Sequence, residues 1–312
     1  MLLETIHLAQ ARTEETVSSI LNAMGLPRAT YFRGLNRQAS GTLVDGISPG
    51  RTVLLPTPAE LTAVRAFALK HPIMGYKRLT WLMVDKDVAA LSTYRVEAIL
   101  REAGLLHLRR LPPTVSLSRP PAAKHPDEQW HSDIMYLLVA SVWYYLVDII
   151  DAYSRYLVHW SLNTTMRADT VTLTVQEALD RLADRRPGEP KIVHDHASQF
   201  MGSEWRSVIA GNEVTDIVTR VAHPQSNGVV ERLHRTHREE IFDSQPDDYY
   251  NALDIMEVRA AFYNQERPHS ALHYLCPIDY YRGNPEARRA ERQKKLVRAA
   301  EERRLFWTQN RS

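Results

Sequence analysis

The chain of 312 residues has one cysteine, Cys276, and so cannot close an internal disulfide. A disulfide-stapled secreted scaffold is excluded, and the free thiol fits a reducing compartment. It also lacks a long hydrophobic run. The most apolar stretch, residues 136–147, is bounded by Asp133 and Asp148 and is too short to cross a bilayer, so it reads as two buried strands and no membrane association is expected. No basic stretch precedes an apolar one at the N-terminus, which therefore does not read as a signal peptide. A cytoplasmic protein is the expectation. With 44% hydrophobic and 24% charged residues, the composition excludes collagen-like, mucin-like and wholly disordered chains and supplies a sizeable core.

There is little net charge, +2, but its distribution is uneven. Residues 1–125 carry sixteen Lys/Arg against nine Asp/Glu, whereas residues 126–242 carry eleven against seventeen. A basic segment can neutralise phosphates and an acidic one can hold cations; random drift over a solvated surface is the plainer reading.

Four regions are expected: a helical one at 1–110, a proline-rich linker at 111–127, a mixed α/β core at 128–245 and a helical C-terminal extension with a basic tail at 246–312. In the first, residues 16–24 read as a helix broken at Gly25 and resumed after Pro27. Pro58 opens a helix with an apolar stripe of Leu61, Val64, Phe67 and Ala68, and Ser92 caps another that ends at Gly104. These pairs outline helix-turn-helix DNA readers, with Arg28, Arg33, Lys77, Arg78, Tyr94 and Arg95 as candidate contacts. Five prolines between 112 and 126 mark the domain boundary. Beyond it, residues 130–138, 143–151 and 155–163 read as a three-strand meander, followed by a helix (167–183), a strand (191–194), a helix (203–210), a strand (214–220) and a helix from about 229.

Three carboxylates stand out by placement: Asp133 in the first strand, Asp195 closing the fourth, and Glu231 in the first turns of the last helix, with 35 residues between it and Asp195. The segments Trp130-His131-Ser132-Asp133, Asp195 ahead of Ser198-Gln199-Phe200, and Ser226-Asn227-Gly228-Val229-Val230-Glu231-Arg232 resemble the integrase-core DDE transposases of bacterial insertion sequences, of the kind encoded by a second reading frame. Asp151-Ala152-Tyr153-Ser154-Arg155, Tyr263-Asn264-Gln265-Glu266-Arg267-Pro268-His269, and upstream His71-Pro72-x-x-Gly75-Tyr76-x-Arg78 also match. The resemblance spans about residues 17–283.

It implies a ribonuclease-H-like catalytic core behind an all-α DNA-binding region. It further implies an enzyme that cuts and joins DNA with two Mg²⁺ (or Mn²⁺) ions, Asp133 bridging both and Asp195 and Glu231 each completing one. Such ions take hard oxygen ligands and clamp an in-line phosphoryl displacement. Water would first free a 3′-hydroxyl at the transposon end, and that hydroxyl would then attack target DNA without a covalent enzyme intermediate. The implied partners are terminal inverted repeats, target DNA and further copies of the chain. Arg232, Arg235 and Arg238, at helical spacing after Glu231, could lie along the DNA backbone.

The family usually has Asn-Gly after its second aspartate; here His196-Ala197 follows, which a sharp turn tolerates only at negative φ. Two other functions therefore stand beside the first: a catalytically decayed DNA-binding protein, and a nuclease that only hydrolyses. Asp148 and Asp151 read as structural, Asp151 by accepting backbone N–H groups ahead of Ser154-Arg155. His131, His194, His196 and His223 invite a zinc reading, weakened by the lack of a cysteine pair. The basic tail from 286 reads equally as a solvated helix or a DNA-binding one.

Overall fold

The computed structural model describes residues 2–41, 54–106, 123–182, 186–219, 228–240 and 245–310. Most of the expected linker, together with His223 and Ser226-Asn227, lies outside them. The chain divides into two compact units, Met1–Leu55 and Pro56–Ser312. The helical region expected as one segment at 1–110 is thus divided after residue 55, and its second half joins the core.

In the first unit α1 (Leu2–Thr13), α2 (Val17–Ala23) and α3 (Arg28–Ala39) bury Ile6, Ile20, Leu21 and Tyr31. Thr16 caps α2 by accepting from the Ser19 N–H at 3.2 Å. Gly25, at φ +65°, ends it in a left-handed conformation that favours glycine, and Pro27 starts α3. Helix, turn and helix lie where the sequence places them, and Arg28 and Arg33 are exposed on α3.

The second unit opens with α4 (Pro58–Lys70), α5 (Tyr76–Asp85) and α6 (Thr93–Glu102). A reciprocal box between Thr57 and Glu60 caps α4, Ser92 caps α6, and Val64, Leu79, Met83, Val96 and Ile99 form their shared core. The proline-opened stripe at 61–68 faces that core, as its spacing predicts.

The catalytic-type core is a five-stranded mixed sheet in the order β3-β2-β1-β4-β5. Strands β1 (Gln129–Val139), β2 (Val142–Asp151) and β3 (Leu157–Asn163) form the antiparallel meander. After α7 (Ala168–Asp180), β4 (Gly188–His194) pairs parallel to β1, and after α8 (Ser203–Gly211), β5 (Val214–Val218) pairs parallel to β4. That order and polarity make the expected ribonuclease-H-like fold. Trp130, Val147, Ile149 and Ile192 bury one sheet face with residues of α7 and α8. Helices α9 (Gly228–Glu240) and α10 (Tyr249–Gln265) cover the other, where Ile150 and Leu157 meet Val230, Leu233 and Ala260, and Met135, Leu137 and Leu146 meet Met256.

The apolar run at 136–147 is two strands, but not wholly buried: Tyr136, Leu138, Val142 and Trp143 at the hairpin tip are more than half exposed. The tip extends past the cover of α7, so alternation buries only one of its faces.

The chain closes with α11 (Pro277–Tyr281) and the 25-residue α12 (Pro285–Gln309). Arg289, Arg298 and Arg304 are exposed on α12, but Arg292 and Arg303 turn inward. Arg292 is buried, with Nε donating to Asp85 Oδ1 on α5 at 2.8 Å and its guanidinium over the Trp81 ring; Arg303 donates to Glu60 at 2.6 Å and to the Ala90 carbonyl at 3.0 Å. Helix α12 therefore straps the α4–α6 bundle. Among the described residues, no helix is long and apolar enough to cross a membrane.

Candidate active site at the sheet end

Period-two alternation fixes which carboxylates share a face. On β1, Trp130 and Ile134 pack toward α7, so Asp133 points to the opposite, α9 side. On β2, Val147 and Ile149 face α7, and Asp148, the register partner of Asp133, shares its side. The β1–β4 register matches Trp130 to Ile192 and His131 to Val193, so two residues on, Asp195 lies beside Asp133 on the same face. The sheet thus brings Asp133 and Asp195 together.

Glu231 occupies the first turn of α9, which packs against β1 and β2. One turn later, His234 Nδ1 stands 3.7 Å from Asp133 Oδ2, so the start of α9 adjoins the pair. Glu231 itself is exposed and is not closed onto the two aspartates: among the described residues, no three His, Cys, Asp or Glu side chains enclose a position for an ion.

Burial pushes the Asp133 carboxyl above the ordinary carboxylate range against the pull of His234, and the charges of Asp195 and Asp148 add to the rise. A half-buried carboxylate crowded by other negative charge is a site that a cation would relieve. The donors are hard oxygens, which suit Mg²⁺ or Mn²⁺.

Sequence reasoning missed His234 and His237. Both are buried on α9 with Nε2 3.3 Å from Asp148 Oδ2, and Asp148 is fully buried between them. Burial opposes its ionisation, but the two imidazoles outweigh this and hold the carboxyl well below its usual range. The available signal was spacing: 234 and 237 continue the buried stripe of Val230 and Leu233.

Asp151 is structural, as the sequence reading has it. Its carboxylate accepts from the backbone N–H groups of Asp127 at 2.9 Å and Ser154 at 2.7 Å, and from the Ser154 hydroxyl. The motif at 263–269 is also architectural. The Asn264 side chain accepts from Leu157 N–H at 2.8 Å and donates to Leu157 C=O at 2.9 Å, sealing the edge of β3, while buried Arg267 reaches Thr236 on α9.

Among the described residues the zinc reading finds no cluster, and His223 lies outside them. His194 bonds Asp216 at 2.7 Å and stacks on Phe200 under α8, His131 pairs with Gln129, and His196 is exposed. Of the candidate DNA contacts in the second unit, Lys77, Tyr94, Arg232, Arg235 and Arg238 are exposed and Arg95 is half-buried. Arg78 is engaged internally: its Nε donates to the Pro268 carbonyl at 3.0 Å.

The turn after Asp195 answers the question raised by His196-Ala197. Ala197 has φ −60° and ψ 140°, its N–H donates to Asp195 Oδ1 at 2.9 Å, and His196 has no left-handed φ either. Glycine is not required there. Ala197→Gly is therefore expected to change stability by less than about 1 kcal/mol and to leave joining activity near the unsubstituted level. A large gain in joining would show that the natural loop is impaired.

Comparison with known proteins agrees with this architecture. Two integrase core domain models match, over residues 123–224 and 212–277. A transposase for insertion sequence element IS904 of Lactococcus lactis is 29% identical over 54% of this chain and 69% of its own length. An insertion element IS407 protein of Burkholderia multivorans is 29% identical over 71% of this chain and 80% of its own, and the IS2 transposase InsD of Escherichia coli is 26% identical over 68% and 74%. Among solved structures, the magnesium complex of the HTLV-2 integrase catalytic core is 13% identical over 50% of this chain and 97% of its own, with a TM-score of 0.42. With the carboxylate-bearing sheet, the matched models and these relatives in agreement, residues 123–277 carry an integrase core domain in a chain similar to the transposases of insertion sequences, enzymes of the polynucleotidyl transferase class.

Proposed function

We propose that this transposase catalyses divalent-metal-dependent cleavage and strand transfer of DNA, moving an insertion sequence, with Asp133, Asp195 and Glu231 as its catalytic carboxylates. The observation that carries the reading is the pairing of Asp133 with Asp195 on one sheet face, with the first turn of α9 beside them. Mg²⁺ ions held by these oxygens supply Lewis-acid stabilisation of the attacking and leaving oxygens of an in-line displacement.

The chain's own residues do the rest. Asp133 and Asp195 present acceptor oxygens from two adjacent strands, whose pairing fixes their spacing before DNA arrives. Glu231 brings a third from the first turn of α9. The exposed Arg232, Arg235 and Arg238 line the outward side of the same helix, where they neutralise phosphates beside the reacting strand.

The partners in this reading are the terminal inverted repeats, target DNA and further copies of the chain. Recognition of the repeats falls to exposed side chains of α3, α5 and α6. Tyr94, 72% exposed, and Arg95 sit in the first turn of α6, the position from which a recognition helix reads base edges. Arg95→Ala in the full chain is expected to cost about 1–3 kcal/mol of discrimination between end DNA and random DNA, measured by competition in fluorescence anisotropy. Equal weakening on both DNAs would make Arg95 a phosphate contact. The reading as a whole is tested by supplying the chain with end DNA and target DNA and looking for covalently joined product.

A further inference from the structure

Asp148 is fully buried on the α9 side of the sheet, between its register partner Asp133 and the apolar packing of Ile150 against α9. Its Oδ2 lies 3.3 Å from Nε2 of both His234 and His237, contacts at the outer edge of hydrogen-bonding range whose geometry completes no hydrogen bond. A buried carboxylate held this way by two imidazoles of one helix costs desolvation that an apolar trio of the same size would avoid. Such a cluster calls for a role beyond packing.

The two histidines differ in one respect. His237 is described against Asp148, whereas the other ring nitrogen of His234 lies 3.7 Å from Asp133 Oδ2. His234 thus bridges the buried aspartate of β2 to the half-buried aspartate of β1, and it is one helical turn from Glu231. Its ring is held at one nitrogen and faces a proposed metal ligand with the other. Partners that orient a ligand in this way tune metal affinity as strongly as many ligands do.

The geometry points to His234, anchored by Asp148, as a positioning residue that aims the Asp133 carboxylate and sets the start of α9, and with it Glu231, against the sheet. It rests on the reading of Asp133 as a metal ligand. His237 shares the anchor but not the contact to Asp133, so its part is to hold the helix.

That contrast supplies the test. In the full chain, His234→Leu and His237→Leu each remove one 3.3 Å contact to Asp148 and keep the site filled with apolar bulk. Thermal unfolding and end-DNA binding report fold and DNA affinity; Mn²⁺ binding is followed directly through the paramagnetic resonance of the free ion. The expected result is that both variants lose similar stability and keep end binding. His234→Leu should bind Mn²⁺ about 10–100-fold more weakly, and His237→Leu should stay close to the unsubstituted chain. His234→Gln, which restores a polar side chain of similar reach, should recover part of the lost affinity, and it decides the question alone if His234→Leu does not fold. Equal Mn²⁺ affinity in the two leucine variants, or no loss in either His234 variant, overturns the positioning role. Asp133→Asn is run beside them: unchanged Mn²⁺ binding there overturns the metal-ligand reading itself, whatever His234 does.

Discussion

Asp133→Asn and Asp195→Asn are each expected to lower DNA joining by about 10³-fold or more, with folding and end binding retained. The substitution keeps side-chain size and removes the negative charge. In the folded chain that charge is crowded: burial raises the Asp133 carboxyl, and Asp195 and Asp148 raise it further. Neutralising one aspartate relieves that repulsion, so stability should hold or rise slightly while activity collapses. Opposite signs for stability and activity separate a functional carboxylate from a structural one such as Asp151, whose loss would strip an acceptor from two backbone N–H groups. Glu231→Gln is expected to follow the activity loss of the two aspartates. Gel assays of joining, paired with thermal unfolding, check all three, and any variant that joins at a near-normal rate removes its residue from the site.

The largest stability effect is expected at the strap between α12 and α5. Arg292 and Asp85 are 5% and 8% exposed at their side chains, and Arg288 also approaches Asp85 at 3.3 Å. Arg292→Ala leaves Asp85 buried with its principal partner gone, a change that costs about 3–5 kcal/mol. The double variant Asp85→Leu with Arg292→Met replaces the pair by apolar bulk and should recover most of that loss, because the desolvation of both charges disappears with them. Urea unfolding of the full chain measures both. If Arg292→Ala costs less than about 1 kcal/mol, the size expected of an exposed pair, α12 does not strap the bundle.

What the sequence discloses and what it conceals divide along physical lines. Strands 129–139, 142–151 and 157–163 were legible because Val, Ile, Tyr and Trp runs end at turns, and Asp133, Asp195 and Glu231 stand out in the sequence through their flanking motifs. The cap at Ser92, the helix start at Pro58 and the break at Gly25 were legible because each acts within a few residues of its own position.

Long-range polar pairing was concealed. Nothing local tells that Arg292 meets Asp85, or that His234 and His237 close on Asp148, since each pair is set by which faces meet after folding. Basic residues on α12 look alike in the sequence, yet Arg292 and Arg303, three turns apart, turn inward while Arg298 stays exposed. Arg78 was chosen as a DNA contact because it is basic and near a helix start, and the carbonyl of Pro268 that takes up its Nε is far away in the chain.

The central claim, that this chain joins DNA through the carboxylates at the end of its sheet, is tested most directly by one strand-transfer measurement. The full chain is incubated with Mg²⁺, a labelled duplex carrying the proposed end DNA with its 3′-hydroxyl already exposed, and supercoiled plasmid. The expected result is labelled duplex covalently attached through that 3′ end to nicked or linear plasmid, absent with Asp195→Asn. Plasmid cut without attached label, or end DNA bound with the plasmid untouched, would contradict the account and leave a nuclease or a DNA-binding protein in its place.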